Sequence, residues 1–411
     1  MPHYRQVGEV PPKRHTQFRA PDGSLYAEEL MGTDGFSSAS SLLYHRRPPT
    51  ALVGAEPVTA PDVGLAPNEP LLPRHLRTAS LPAGGDLVTG RRALLANDDV
   101  TLSVARPTQP SGLYRNAAGD EIVYLRTGAA RLESSFGVLD CRAGDYVVVP
   151  TGTTHRWIPL RGDDSGDGSD NGSADSGRGA DGGQVAALVI AARGHVGPPE
   201  RYLSATGQFL EHSPYCERDL HAPAAPLLAE ADEGGADGVE VLVRQRTGLT
   251  RYRYAHHPFD VIGWDGCLYP YRFSIHEFEP VTGRVHQPPP VHQTFAGPGF
   301  VVCSFVPRKL DYHPRAVPTP YNHANVDSDE VLYYCAGDFT SRKGAGIGAG
   351  SVSLHPAGFV HGPQPGSVEA SLGAESTDEL AVMIDTFAPL LLAEGARACD
   401  DPDYAWTWAR T

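Results

Sequence analysis

Two stretches of the chain decide its fold: PYNHANVDSDEVLYYCAGDF at residues 320–339 and GSVSLHPAGFVHGP at residues 350–363. Both contain short β-branched or aromatic runs that Gly, Pro and Asp interrupt, which predicts strands joined by tight turns. They also hold a set of residues whose types and spacing are distinctive. In chain order these are His323, Asn325, Glu330, Gly337, Gly350, Pro356, Gly358 and His361.

The spacing resembles the two sequence motifs of cupin barrels. In the first motif a His, a His or Asn, a Glu and a Gly follow one another, and in the second a Gly, a Pro, a Gly and a His. Since inward-facing positions alternate along each strand of a small barrel, we expect His323, Glu330 and His361 to meet inside it. Two imidazoles and one carboxylate around a metal are diagnostic of non-haem iron(II). Zinc, manganese and nickel accept the same ligand types.

A degraded copy of the motifs stands in the first half of the chain. The place of the first His is taken there by Tyr114, Arg115 or Asn116. Because a lone His and Glu rarely hold a transition metal tightly, we predict a barrel that keeps the turns and has lost the metal site. The matching positions are Glu121, Gly128, Gly144, Pro150, Gly152 and His155.

The fold class we predict is all-β: a bicupin of two jelly-roll, or double-stranded β-helix, barrels with an extended N-terminal β segment. The 411 residues suffice for two sizeable domains, and the 45 Gly and 37 Pro suit a chain rich in turns. The segment 161–184 contains mainly Gly, Ser and Asp, which predicts a disordered insert. The predicted units are 1–95 (N-terminal extension), 96–195 (degenerate cupin), 196–260 (linker with short helices), 261–395 (catalytic cupin) and 396–411 (tail), with one amphipathic helix near 388–398.

Composition and sequence patterns restrict the cellular location and the binding partners of the protein. A net charge of −15 repels nucleic acid. The six cysteines are scattered, which is typical of buried thiols in a reducing compartment. No run of 18 apolar residues or signal-peptide pattern is present. We therefore predict a cytoplasmic protein with neither a membrane nor a nucleic-acid partner.

Three further histidines are candidates for chemistry. His286 and His292 lie in GRVHQPPPVHQTFAG, upstream of the motifs, and His355 lies six residues before His361. A histidine is the natural general base for deprotonating a phenol, because its pKa lies near neutrality. For each of the three, the alternative interpretation is a hydrogen-bonded histidine at the barrel mouth.

Over most of its length the chain resembles the homogentisate 1,2-dioxygenase family. The resemblance is carried by LYAEELMGTDGFSSASSLLYHRRPP, FDVIGWDGCLYPYRF, YNHANVDSDE and the run from Ser353 to Pro363. It implies a bicupin with one iron(II) per subunit, assembled as trimers or hexamers. It also implies cleavage of homogentisate by O2 to 4-maleylacetoacetate in tyrosine and phenylalanine catabolism.

Carried over by residue, the resemblance implies iron ligation by His323, Glu330 and His361, with His361 also beside the substrate. It implies His286 as the base near the ring hydroxyl and His355 as a substrate contact, and His292 is a further candidate for such a contact.

The chain departs from the family at Phe339, where better-known members have a Tyr. Arg342 or Lys343 could bind a substrate carboxylate instead, or both could be solvated turn residues. The spacing from His323 to Glu330 is also one residue longer than in those members. The substrate is therefore expected to be homogentisate or a related hydroquinone. The alternatives are a gentisate-type dioxygenase, a zinc or manganese cupin isomerase or decarboxylase, and a sugar-binding or storage cupin.

Overall fold

The structure is a computed structural model that describes residues 3–160, 183–229 and 238–409. Strands β1 to β26 dominate the described residues, and the α-helices are two short ones, α1 (Ser367–Ser371) and α2 (Glu394–Arg397). The all-β prediction is confirmed. The predicted insert at 161–184 lies outside the described residues except for Gly183 and Gln184.

The first barrel contains two seven-stranded sheets, and a buried apolar cluster that includes Val123, Leu132, Trp157 and Val189 draws on both. In spatial order one sheet contains β11 (Gly137–Arg142), β10 (Ala129–Ser134), β13 (Thr154–Leu160), β8 (Leu113–Asn116), β15 (Val239–Gln245), β16 (Gly248–Tyr254) and β4 (Leu52–Val58). The other contains β18 (Tyr271–Ser274), β12 (Asp145–Val149), β9 (Glu121–Thr127), β14 (Ala186–Ala192), β7 (Val100–Ala105), β6 (Arg92–Ala96) and β26 (Leu391–Leu392).

The second barrel is built around a six-stranded antiparallel sheet. A two-stranded sheet of β21 (Arg308–Lys309) and β24 (Ser376–Thr377) adds a shorter pairing, and an isolated bridge joins His323 to His361. In spatial order the main sheet contains β19 (Gln293–Gly297), β20 (Phe300–Phe305), β25 (Leu380–Thr386), β22 (Asp329–Ala336), β23 (Ser351–His355) and β5 (Arg74–Arg77).

Strand β22 directs one face toward the first barrel and the other face into the second barrel. Successive side chains of a strand point to opposite faces, so Tyr333 packs against Tyr124 of the first barrel, with ring centroids 6.4 Å apart. The alternate residues Leu332 and Tyr334 belong to a separate apolar cluster that also includes Phe339. This alternation fixes the direction of Glu330, which lies on the same face as Leu332.

The N-terminal segment predicted at 1–95 is distributed over several sheets. Its strands β1 (Arg5–Gly8), β2 (Ala27–Gly32) and β3 (Ser40–His45) form a four-stranded sheet with β17 (Val261–Gly266). Its strand β4 joins the first barrel, and β5 pairs with β23 of the second barrel. The segment therefore ties the two barrels together.

Two local predictions need correction. The stretch 196–260, predicted as a linker with short helices, does contain the 3-10 turns Glu200–Tyr202 and Glu217–Asp219. Its second part, however, is a hairpin of β15 and β16 that extends the first barrel's sheet through a parallel pairing of β15 with β8. The helix predicted near 388–398 is shorter in the structure: α2 covers only Glu394–Arg397, and strand β26 occupies the residues before it. In both cases pairing with a distant strand decides the local structure.

All six cysteines are free thiols, as the scattered spacing predicts, and four of them are buried. Within the described ranges no helix has the length and the apolar character that crossing a membrane requires.

Candidate metal centre

The structure brings His323, Glu330 and His361 together in the second barrel. One potential ligand atom from each lies within 4.8 Å of the other two. The Nε2 atom of His361 is 3.2 Å from Oε1 of Glu330, and the Nε2 atom of His323 is 3.6 Å from Oε2. The three side chains predicted from the motif spacing therefore share one point in space.

Backbone pairing explains why the two imidazoles meet. His323 and His361 each donate a backbone N–H to the other's carbonyl, at 2.8 Å in both directions. Side chains of residues directly opposite in an antiparallel pair lie on the same face, and the two ring centroids are 4.3 Å apart. The motif turn supports this pair, since the N–H of Gly358 binds the carbonyl of Asn325 at 2.6 Å.

Glycine is required where β22 ends. Gly337 has a φ of +86°, and a Cβ there would lie 1.9 Å from the carbonyl oxygen of Asp378. Side chains disfavour both the left-handed backbone and so close an approach. The motif glycine thus allows the chain to leave the strand that carries Glu330.

The histidine tautomers leave lone pairs facing the centre. The Nδ1 atom of His323 is 3.1 Å from the carbonyl of Tyr321, and that of His361 is 3.0 Å from the carbonyl of Phe359. Because a carbonyl can only accept, each Nδ1 carries the proton and each Nε2 presents a lone pair. The Glu330 carboxylate is also an acceptor, so with neutral imidazoles three acceptors converge, which favours a cation between them.

The spacing fits a divalent metal. Ligand atoms about 2.1 Å from one ion and at right angles to each other would lie about 3 Å apart, close to the 3.2 and 3.6 Å seen here. Burial would raise the pKa of Glu330, but its close contacts with His323, His355 and His361 hold it well below its usual range. Glu330 is therefore an ionised, buried carboxylate, which favours a bound cation.

His355 lies behind Glu330 and is fully buried. Its Nδ1 atom is 2.9 Å from Oε1 of Glu330, and its Nε2 atom is 3.0 Å from the hydroxyl of Tyr404. Burial lowers the pKa of His355 to about 3, so the ring is neutral. Both nitrogens are engaged, which does not support the substrate contact that the resemblance implies.

The other two predicted histidines, His286 and His292, have different surroundings. His286 is at the rim with a side chain 57% exposed, 2.9 Å from Asp311, and its ring centroid is 5.5 Å from that of Tyr321, which also neighbours His323. His292 is buried against Phe305, and burial lowers its pKa to about 3. Its described contacts do not include the three converging residues.

Arg342 and Lys343, which sequence reasoning could not separate, differ in the structure. Arg342 is 6% exposed and binds the hydroxyl of Tyr334 at 3.3 Å and the carbonyl of Gly362. Lys343 is exposed. No carboxylate of the described residues forms an ion pair with Arg342, although the charge of Glu330 acts on its guanidinium at longer range.

The first barrel repeats the strand pairing that brings the two histidines of the second barrel together. Here, however, a guanidinium lies beside the buried glutamate. His155 pairs with Tyr114 in register, as His361 pairs with His323, and its Nδ1 atom binds the carbonyl of Thr153 at 3.0 Å. Tyr114 therefore stands where the first ligand His would be. Both oxygens of Glu121 accept from Arg91 at 2.8 Å. Arg91 supplies the positive charge, which gives a physical reason for the predicted loss of the site.

Three residues beside these two centres were not predicted from the sequence. Tyr404 and Trp408 reach the second barrel from the C-terminal stretch predicted as a tail, and Arg91 reaches the first barrel from the predicted extension. The aromatic run YAWTW predicts burial of that segment, but no local pattern indicates which surface it covers.

The fold is a bicupin, and its second barrel holds a His, His, Glu set suited to a divalent metal. No family model matches the chain. Over 99% of its length it is 37% identical to "Putative dioxygenase SSO1533" of Saccharolobus solfataricus, of which it covers 99%. It is 26% identical to a homogentisate 1,2-dioxygenase of Rhodopseudomonas palustris, with 98% of this chain and 90% of that protein aligned. The chain belongs to the homogentisate dioxygenase-like family of ring-cleaving dioxygenases.

Solved structures give looser likenesses. A cupin 2 conserved barrel domain protein from Leptotrichia buccalis aligns with 76% of this chain and 96% of its own, with a TM-score of 0.31 and 8% identity. The protein Ylba from E. coli aligns with 78% of this chain and 92% of its own, with a TM-score of 0.30 and 8% identity.

Proposed function

We propose that the protein is an iron(II)-dependent dioxygenase that uses O2 to open the ring of homogentisate, or of a related hydroquinone. The product from homogentisate would be 4-maleylacetoacetate, in tyrosine and phenylalanine catabolism. The convergence of His323, Glu330 and His361 carries this proposal. The similarity to proteins named as dioxygenases also supports it. We also propose a cytoplasmic location, which the composition favours, and a trimeric or hexameric assembly, which the family resemblance implies.

The three converging side chains would hold the metal and leave its remaining positions open to substrate. Bound iron(II) would supply Lewis acidity toward a phenolate and electron transfer with O2. Around the site, Leu332, Phe339 and Met383 form part of an apolar cluster. An apolar wall excludes water and strengthens electrostatic interactions with the ring.

His286 is the residue we propose as general base. Its Nδ1 atom is bonded to Asp311, which leaves Nε2 to accept the proton of a ring hydroxyl. The side chain is 57% exposed, so the proton can pass on to solvent. The ring of Tyr321 contacts the rings of both His286 and His323 and would define one edge of the substrate path.

His286→Gln is expected to keep its metal and to turn over about 10²- to 10⁴-fold more slowly, the usual contribution of a positioned base. Metal content and oxygen uptake should be measured on the same samples. His313→Gln, at another exposed histidine of this region, is the control and should behave as wild type. Unchanged turnover of the His286 variant would remove this residue from the mechanism.

Arg342 is the residue we propose to bind the substrate carboxylate, since it is a buried cation without an ion-pair partner among the described residues. Arg342→Met should raise KM for homogentisate about 10-fold or more, the value of about one charge-assisted hydrogen bond. KM for 2-methylhydroquinone, which lacks the carboxylate, should change little. Lys343→Met, at the exposed neighbour, is the matched control. Equal losses with both substrates would contradict this role.

The proposed function is tested by oxygen uptake of the iron-loaded protein with homogentisate, followed by the ultraviolet absorbance of the ring-opened product. A panel that includes gentisate identifies another ring-cleaving specificity. Turnover of a candidate substrate by the zinc or manganese form without O2 would indicate an isomerase or decarboxylase. If no phenol of the panel supports oxygen uptake by protein that retains iron, the proposal is wrong.

A further inference from the structure

The C-terminal segment, residues 399–409, packs against the second barrel beside the metal centre. It ends in the 3-10 turns of Tyr404–Ala409. Tyr404 is fully buried and its ring lies 5.2 Å from that of Trp408, whereas Trp406 between them is 56% exposed. The segment therefore presents two aromatic side chains to the barrel and one to solvent.

The segment is anchored along β5, the edge strand of the six-stranded sheet. Asp401 accepts from His75 at 3.2 Å and from Arg77 at 2.6 Å, and its N–H binds the carbonyl of His75 at 2.8 Å. The N–H of Arg77 in turn binds the carbonyl of Cys399 at 2.8 Å. The strand next to β5 is β23, which ends at His355. This anchoring fixes Tyr404 over the residue that contacts Glu330.

Two hydrogen bonds in series connect Tyr404 to Glu330. The carboxylate of Glu330 can only accept, so the neutral ring of His355 donates through Nδ1, at 2.9 Å. Its Nε2 atom must then accept, and the hydroxyl of Tyr404 donates to it at 3.0 Å. Only one tautomer of His355 satisfies both contacts. The hydroxyl of Tyr404 therefore fixes the orientation of the ring behind Glu330.

The same segment also contacts the residue after His361. The indole N–H of Trp408 donates to the carbonyl of Gly362 at 3.0 Å, and the amide of Gln364 donates to the hydroxyl of Thr407 at 2.9 Å. The segment thus supports the surroundings of two of the three converging residues, Glu330 and His361.

We propose that Tyr404 is a positioning residue that holds the carboxylate of Glu330 in its metal-binding orientation through His355. The C-terminal segment is then part of the metal centre, and it supports metal retention without contacting the substrate. Without the hydroxyl, the buried Nε2 atom of His355 loses its donor, and the ring is free to reverse its tautomer or turn away. Outer partners of this kind are worth about 10- to 100-fold in metal affinity. This inference rests on the proposed metal site.

The test is the metal affinity of the full-length variant Tyr404→Phe, which keeps the ring and removes only the hydroxyl. Cobalt(II) is titrated in competition with a chelator, and its visible absorption reports the ligand geometry. We expect an affinity lower by about 10-fold or more and an altered spectrum, in protein that urea unfolding shows to be still folded. Trp406→Phe, at the exposed aromatic residue of the same turns, should match wild type.

Trp408→Phe is a second variant that removes the donor to Gly362 and should weaken cobalt binding in the same direction. Wild-type affinity and spectrum in Tyr404→Phe would overturn the inference, and so would an equal loss in Trp406→Phe. The measurement needs no turnover. If wild-type protein binds one metal tightly but takes up no oxygen, the proposed function fails and the inference is still tested.

Discussion

His361→Ala will leave a folded chain that retains almost no divalent metal, and its oxygen uptake with homogentisate will fall by about 10³-fold or more. The imidazole supplies one of three converging ligand atoms, and its Nε2 atom lies 3.2 Å from Glu330. A protein site reduced to one His and one carboxylate holds a transition metal weakly. Metal content after anaerobic purification is the first measurement, because it does not depend on the substrate chosen.

The fold should survive this change. His361 lies in a loop after β23, and its backbone bonds to His323 are independent of its side chain. His212→Ala, at an exposed histidine outside the site, is the matched control and should keep both metal and activity. A His361 variant that retained a full complement of iron and full oxygen uptake would show that the metal binds elsewhere, and the proposed function would lose its basis.

The core of this site was predictable from the sequence because it is encoded in local spacing. Six residues separate Glu330 from the glycine that ends its strand, and a Pro-Gly turn stands at a set distance before His361. Strand alternation then sends these side chains inward. The positive φ of Gly337 and the pairing of His323 with His361 show how the spacing becomes geometry.

The surroundings of the site were not predictable, because they depend on pairings between distant parts of the chain. RHLR at 74–77 has no strong strand pattern, yet it forms the edge strand β5 and receives the C-terminal segment. The hairpin of β15 and β16 is amphipathic in sequence, but its place depends on a parallel pairing with β8. Nothing local to Tyr404 indicates that it contacts His355. Register between remote strands follows from the whole packed barrel.

In the first barrel, Arg91→Met is expected to lower the free energy of unfolding by about 3–5 kcal/mol. The side chain of Glu121 is fully buried, and that of Arg91 is 10% exposed. Removing the guanidinium leaves a buried carboxylate without its ion-pair partner, and Tyr114 and Asn116 are its remaining hydrogen-bond donors among the described residues. Urea unfolding followed by circular dichroism measures the change.

Two controls isolate the buried charge as the cause. Arg131→Met breaks an exposed pair with Asp140 and should cost less than about 1 kcal/mol, since those side chains are 40% and 58% exposed. The double variant Arg91→Met with Glu121→Gln should recover part of the lost stability, because no charge is then left buried. Wild-type stability in the single variant would show that Arg91 does not compensate Glu121.

The pH dependence of the free energy of unfolding tests the Arg91–Glu121 ion pair independently. Burial would raise the pKa of Glu121, but the charge and hydrogen bonds of Arg91 outweigh it and lower the pKa from the ordinary 4.5 to about 2. A carboxylate with a depressed folded pKa stabilises the folded state fully above its unfolded pKa, and this contribution is lost as the pH falls through the folded value. The stability difference between wild type and Arg91→Met should therefore be largest near neutral pH and shrink as the pH falls from 4.5 toward 2. A difference that stayed constant over this range would mean that lost packing, not the lost charge, is what destabilises the variant.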